Sequence, residues 1–224
     1  MKIRKMNLHL QNFYLRPDKE HAVKLWLNDF DQNGSGEQFL TRRIEGKDMP
    51  VFLKREITDQ YPGLKKQNLR HSDYAKKTIE ELFGREVMAK SQVKEFNYCS
   101  SIVAINDGKG HFEIEPLPGM VQLSSVKAVT ITDVNGDGRA DLVLGGNLFT
   151  FPPQFGRLDG SYGQVLLNEG KGGWKWEEPK RSGISVRGEI KGIEVLGRSG
   201  AENNSKGYLL IVQNDQYPVL FKFN

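Results

Sequence analysis

Cysteine is nearly absent from this chain: Cys99 stands alone among 224 residues. No intrachain disulfide can form, and neither a zinc site nor a redox centre can be built on paired thiols. Its context, NYCSSIVAI, reads as a buried strand residue rather than a catalytic thiol. Long apolar runs are missing as well. No segment approaches the roughly 18 apolar residues of a membrane-spanning helix, and the amino terminus, MKIRKMNLHLQNFYLRPD, has basic residues without the apolar stretch of a signal peptide. The four histidines, His9, His21, His71 and His111, are scattered without ligand spacing. No arrangement of Ser, His and Asp stands out for nucleophilic catalysis. Charge of one sign is lacking too, since 32 Lys and Arg against 28 Asp and Glu leave +4. Basic residues cluster only in KIRK at 2 to 5 and in the KK pairs at 65 and 76. With no aromatic residues interleaved, these read as solvated faces and not as a nucleic-acid interface.

What the chain does have is glycine, 24 residues of it, and enough apolar character (38%) to bury a core. The apolar residues come in short β-branched or alternating runs, the pattern of many short strands joined by tight turns. Strands are expected at NLHLQNFYL (7–15), AVKLWLNDF (22–30), EQFLTRRI (37–44), PVFLKR (50–55), SSIVAIND (100–107), HFEIEPL (111–117), VKAVTITDV (126–134) and DLVLGGNL (141–148). Five more follow at GQVLLNE, WKWEEP, IKGIEVLG, GYLLIVQND and PVLFKFN. One interval differs. From Ser72, a plausible N-cap, apolar or small residues fall at Ala75, Thr78, Ile79, Leu82 and Phe83 until Gly84, the spacing of one helical face. With its flanks this makes a helical insertion, 56–96, expected to pack outside the sheets.

Two features recur. The acidic turn DVNGDGRAD (133–141) has a partner in DFDQNGSGE (29–37), and the hairpin IVAINDGKGHFEIE (102–115) matches VLLNEGKGGWKWEE (165–178). The order, turn and then hairpin, is the same in both copies. The repeated unit is therefore about four antiparallel strands, the composition of a β-propeller blade. The expected fold is mainly β: a partial β-propeller of about three four-stranded blades, 22–118, 119–180 and 181–224, in one domain over 1–224.

The acidic turns carry the chemistry. Counted from Asp133, side-chain oxygens fall at Asp133, Asn135, Asp137 and Asp141, with Gly138 sixth and the Arg139 carbonyl seventh. Counted from Asp29, they fall at Asp29, Asp31, Asn33 and Glu37, with Gly34 sixth and the Ser35 carbonyl seventh. A hard cation such as Ca²⁺ takes six to eight oxygens in a flexible shell, and alternate residues of a tight loop can supply them. An EF-hand would need a bidentate glutamate at the twelfth position, where Leu144 and Leu40 stand, and helices where strands are expected. The competing reading is a solvated hairpin turn without metal.

These residues give the sequence its resemblance to a family. DVNGDGRADLVLGGN, with the hairpins INDGKGHFEIEPLP and LLNEGKGGW, resembles the FG-GAP/VCBS repeat proteins, which include the integrin α-subunit propeller. The run from HAVKLWLNDFDQNGSGEQ to NDQYPVLFKF is similar to the carboxy-terminal part of bacterial FG-GAP proteins of the ASPIC/UnbV-associated group. The resemblance implies Ca²⁺ in loops of a propeller, an exported protein of the cell surface, periplasm or extracellular space, and a non-enzymatic adhesion or interaction role with a protein or glycan ligand. An enzyme site in a propeller mouth and a nucleic-acid binder are the rival readings. Three blades do not close a ring, so the chain is expected to self-associate or to belong to a longer propeller.

Two further features stand out. The loop FTFPPQFGRLDGSYG (149–163) places Arg157 and Asp159 two apart, either as a ligand site or as a connector locked by a local Arg to Asp contact. Trp174 and Trp176 share one strand face and read as core between blades before they read as a contact surface.

Overall fold

The computed structural model describes residues 15, 17–67, 70–151, 156–170, 173–197 and 207–223. The described chain is mainly β, and its contacts divide it into two units, Leu15–Cys99 and Ser100–Asn224. The expected strand at 7–15 lies outside the described residues apart from Leu15, which sits in a turn. The division falls inside 22–118, the stretch expected to be one blade.

In the first unit, β1 (Val23–Asn28), β2 (Glu37–Ile44), β3 (Lys47–Pro50) and β4 (Gln92–Phe96) form an antiparallel sheet in the order β3-β2-β1-β4. The edge beside β2 is taken by β3 through the turn Glu45-Gly46, both residues left-handed (φ 49° and 77°). That pair of positive φ angles is the geometry of a two-residue hairpin, whose ends need almost no loop closure. The distant hairpin 102–115 is not part of this sheet and forms a two-stranded sheet of its own. Nor is PVFLKR a strand: β3 ends at Pro50, which lacks an N–H, and α1 (Lys54–Gln60) begins within the same run. Glu56 starts that helix by accepting the Leu53 N–H at 2.7 Å.

The single helix expected from Ser72 to Gly84 is two, α3 (His71–Tyr74) and α4 (Ile79–Phe83), preceded by α2 (Leu64–Gln67) and followed by α5 (Arg85–Ala89). Thr78 interrupts it. Its hydroxyl accepts the Glu81 N–H at 3.1 Å while the Glu81 carboxylate accepts the Thr78 N–H at 2.8 Å, a reciprocal cap that holds Thr78 extended. The insertion also ends in a strand, since β4 pairs with β1 from Val23↔Phe96 to Leu27↔Gln92. The helices are not peripheral to their unit. Ile57, Leu64, Tyr74, Ile79, Leu82 and Met88 are buried with Phe30 and Phe39 of the sheet and its turn. Each such side chain stabilises by about 1.5–3 kcal/mol when fully buried. The Tyr74 hydroxyl is satisfied by the Phe52 carbonyl at 2.7 Å. Cys99 is buried but lies after β4 and outside any strand, and burial pushes its thiol up, away from nucleophilic use.

The second unit is layered. A two-stranded hairpin, β5 (Ile102–Asn106) and β6 (Phe112–Pro116), is followed by a meander, β7 (Val126–Thr132), β8 (Asp141–Gly146), β9 (Gln164–Gly170) and β10 (Gly173–Glu177), ordered β10-β9-β8-β7. After α6 (Pro179–Ser182), β11 (Ile190–Leu196), β12 (Gly207–Gln213) and β13 (Val219–Phe223) make a three-stranded sheet. Every residue of β8 is buried, because the meander is covered on both faces. Leu142, Leu144 and Leu166 pack with Val103 and Ile105 of the hairpin, together with Trp174 and Trp176. Val143 and Val165, on the opposite face, pack with Ile190, Ile193, Leu209 and Ile211. The glycine pair closing β8 follows from that crowding: a Cβ on Gly145 would fall 2.4 Å from Ile190 Cγ2, and one on Gly146 1.5 Å from the Ser125 carbonyl oxygen.

Candidate functional site

Each acidic turn joins two strands of one sheet, β1 to β2 in the first unit and β7 to β8 in the second. The two turns are wired alike. Asp29 Oδ1 and Oδ2 accept the N–H groups of Asn33 and Gly34 at 3.0 and 2.9 Å, and Asp133 Oδ1 and Oδ2 accept those of Asp137 and Gly138 at 3.1 and 2.9 Å. Asp31 Oδ1 takes Asn33 N at 3.2 Å, as Asn135 Oδ1 takes Asp137 N at 3.1 Å. Asn33 Oδ1 takes Ser35 N at 2.7 Å, as Asp137 Oδ1 takes Arg139 N at 2.9 Å. Finally, Glu37 Oε2 accepts Phe30 N at 2.7 Å, and Asp141 Oδ2 accepts Val134 N at 2.9 Å. The fourth and sixth positions are left-handed in both: Gln32 and Gly34 at φ 59° and 88°, Gly136 and Gly138 at 79° and 83°. Carboxylates and side-chain amides thus collect the turn's backbone N–H groups.

The turns differ in what faces those oxygens. In the first, one oxygen each of Asp29, Asp31 and Glu37 lies within 4.8 Å of the others. Oxygens this close together are within the span of one hard cation's ligands, which lie about 5 Å apart across the ion. Among the described residues this is the one group of three acidic, histidine or cysteine side chains gathered so closely. Glu37, 7% exposed, anchors the group from the start of β2. Asn33 and Ser35 are exposed beside it.

In the second turn a cation is already built in. Arg139 Nη2 reaches Asp137 Oδ2 at 2.7 Å, and its Nε donates to the Asn168 carbonyl at 2.6 Å. The Asn135 amide also donates to Asp137 Oδ2, at 3.0 Å. The Arg139 N–H above all, then the Asn135 amide and the guanidinium charge, hold the Asp137 carboxyl below its ordinary value. Asp141 plays a further part. It is 0% exposed, and its second oxygen accepts Asn168 N at 2.8 Å, so one buried carboxylate pins the acidic turn to β9.

At the seventh position of each turn the sequence points to the backbone carbonyl and not to the side chain. The Arg139 side chain was missed, and the readable sign was a basic residue between two acids where the first copy has Ser35.

The loop 149–163 is closed at its base by a bridge between Leu148 and Leu158, with N–H to carbonyl distances of 2.8 and 3.0 Å. The expected Arg157 to Asp159 lock does not form: Arg157 lies over the Phe149 ring, 4.1 Å from its centroid. Trp174 and Trp176 do share a face and pack into the core, where Trp176 Nε1 donates to Gln164 Oε1. No helix among the described residues is long and apolar enough to cross a membrane.

Neither the models of known protein families nor the curated proteins yield a match to this chain.

Proposed function

We propose that this chain is a calcium-rigidified, non-enzymatic binding scaffold of FG-GAP/VCBS type, in which four-stranded meanders serve as propeller blades and loops meet a protein or glycan partner. The observation that carries the reading is the gathering of Asp29, Asp31 and Glu37 within 4.8 Å. Three carboxylates so placed repel one another, and a bound divalent cation turns that repulsion into attraction. Asn33 and the Ser35 carbonyl complete the first shell of oxygens. The second turn, with Asp133, Asn135, Asp137, Asp141 and the Arg139 carbonyl, is the weaker site, because Arg139 must leave Asp137 before a cation can take its place. An extracellular, periplasmic or surface setting, where free Ca²⁺ is plentiful, and self-association or membership of a longer propeller complete the proposal.

Calorimetry on metal-stripped protein tests it. Free Ca²⁺ at 100 times its dissociation constant should add roughly 2.7 kcal/mol for a filled site, with Mg²⁺ a poor substitute. Asp31→Ala should remove the first unit's share. No calcium-dependent shift, or an equal shift in Asp31→Ala, would leave these turns as acidic hairpins only.

A further inference from the structure

Away from the acidic turns, the second unit holds a cavity of about 520 Å³ beyond the end of β8, within the size range of small-ligand sites. Its floor is Asn147, 1% exposed. The side chain is fully engaged: Oδ1 accepts from Ser124 Oγ at 2.7 Å and Ser161 N at 2.9 Å, and Nδ2 donates to the carbonyls of Ser161 and Gly188, at 2.7 Å each. Asn147 also has φ 80°, a conformation that a residue with a side chain adopts at a cost. Four hydrogen bonds hold it there, and through them one residue fixes three separate stretches of chain around the cavity.

The walls carry charge of both signs. Arg157 lies over the Phe149 ring at 4.1 Å and Arg187 over the Tyr162 ring at 5.6 Å. A guanidinium over a ring face keeps its in-plane N–H donors free to bond. Neither arginine forms an ion pair among the described residues, nor do the two acids that line the same cavity, Asp159 and Asp215. Among the described residues, Asp215 receives only the neighbouring Asn214 amide, at 3.2 Å.

Two donors and two acceptors therefore share one cavity without pairing with one another among the described residues. A strongly anionic ligand would meet Asp159 and Asp215, and a strongly cationic one would meet the arginines. A neutral polyhydroxylated ligand suits both, because each hydroxyl donates to a carboxylate and accepts from a guanidinium. The partly exposed rings of Phe149 and Tyr162 add apolar surface for the C–H face of a sugar ring.

We propose that this cavity binds a neutral saccharide, one or two pyranose rings long, with Asp159 and Asp215 accepting from its hydroxyls and Arg157 and Arg187 donating to them. The proposal deepens the scaffold reading by naming its ligand class, rests on that reading for a binding role, and needs no calcium.

Saturation-transfer NMR on the full chain tests it, with glucose, galactose, mannose, N-acetylglucosamine and their β-linked disaccharides as probes at millimolar concentration. Transfer to at least one sugar is expected. Its affinity should fall about tenfold or more in Asp159→Ala and in Arg187→Ala, each of which removes a charged partner of a hydrogen bond. Both residues are exposed, so thermal melts should confirm retained folding, and Asp159→Asn and Arg187→Lys serve as conservative second variants. Asp31→Ala should leave sugar binding unchanged. Silence across the panel, transfer that persists undiminished in folded Asp159 and Arg187 variants, or a response only to glycine or sulfate would overturn the proposal. The calcium shift is recorded on the same samples. Sugar silence with a normal calcium shift refutes the cavity assignment alone, and sugar binding without a calcium shift refutes calcium alone.

Discussion

The two acidic turns have the same backbone wiring and different electrostatics. Five hydrogen bonds recur position for position, yet the first turn gathers three carboxylates and the second folds Arg139 onto Asp137. The shared part is what builds the turn: short side-chain acceptors collecting N–H groups that no strand can use. The divergent part is how the resulting negative charge is met: a guanidinium from the chain meets it in the second turn, and no ion pair among the described residues meets it in the first. Turn geometry and charge balance are thus separable properties of one motif. Ser35 against Arg139 is the substitution that separates them.

The largest expected effect concerns the anchor acid. Asp141→Ala strips the acceptor from two part-buried N–H groups, those of Val134 and Asn168, and should cost about 2 to 4 kcal/mol. Glu37→Ala should cost clearly less, because Glu37 is seen to hold only the Phe30 N–H. Urea unfolding followed by tryptophan fluorescence measures both, with Trp26 in the first unit and Trp174 and Trp176 in the second. A loss below about 1 kcal/mol for Asp141→Ala would contradict its role as a pin.

A middle-sized effect is expected where the turns diverge. Arg139→Ser gives the second turn the residue of the first and should tighten calcium at that turn by about tenfold, by removing a competing ion pair and a like charge. Isothermal titration resolves it as a second, stronger equivalent. Unchanged affinity would mean that the guanidinium does not set the difference. The smallest effect lies in the backbone. Gln32 has φ 59° where the second turn has Gly136, so Gln32→Gly should raise stability by about 0.5 kcal/mol, relief of strain outweighing the added freedom of the unfolded chain. A clear loss in thermal melts would show that the Gln32 side chain contributes something its geometry does not reveal.

Much of this was legible in the sequence because it is local. EQFLTRRI is β2 residue for residue, and the oxygen spacing in both acidic turns is the spacing of their hydrogen bonds. What escaped depended on competition or on distance. The Ser72 helix was read from apolar spacing, and the Thr78 cap overrode it. The hairpin 102–115 matched its later copy in sequence, but the two-residue turn at Glu45-Gly46 had already supplied β2 with a neighbour. Periodicity could not show β4 either, whose five residues are exposed or half-exposed and depend on pairing with β1. Arg187 and Asp215 lie far along the chain from Arg157, and only the fold brings them to one cavity.

The pairing of β4 with β1 also has an evolutionary consequence. Val23, where the first sheet starts, stands opposite Phe96, where it finishes, so the sheet's two ends lie about 5 Å apart, the separation of paired strands. A segment whose ends meet can be spliced into a surface loop of another protein without prising that loop open. Residues 23–96 thus have the form of a transplantable cassette: they carry their own sheet, their own helical cover and their own cluster of acids, and ask of a host only a gap one strand wide.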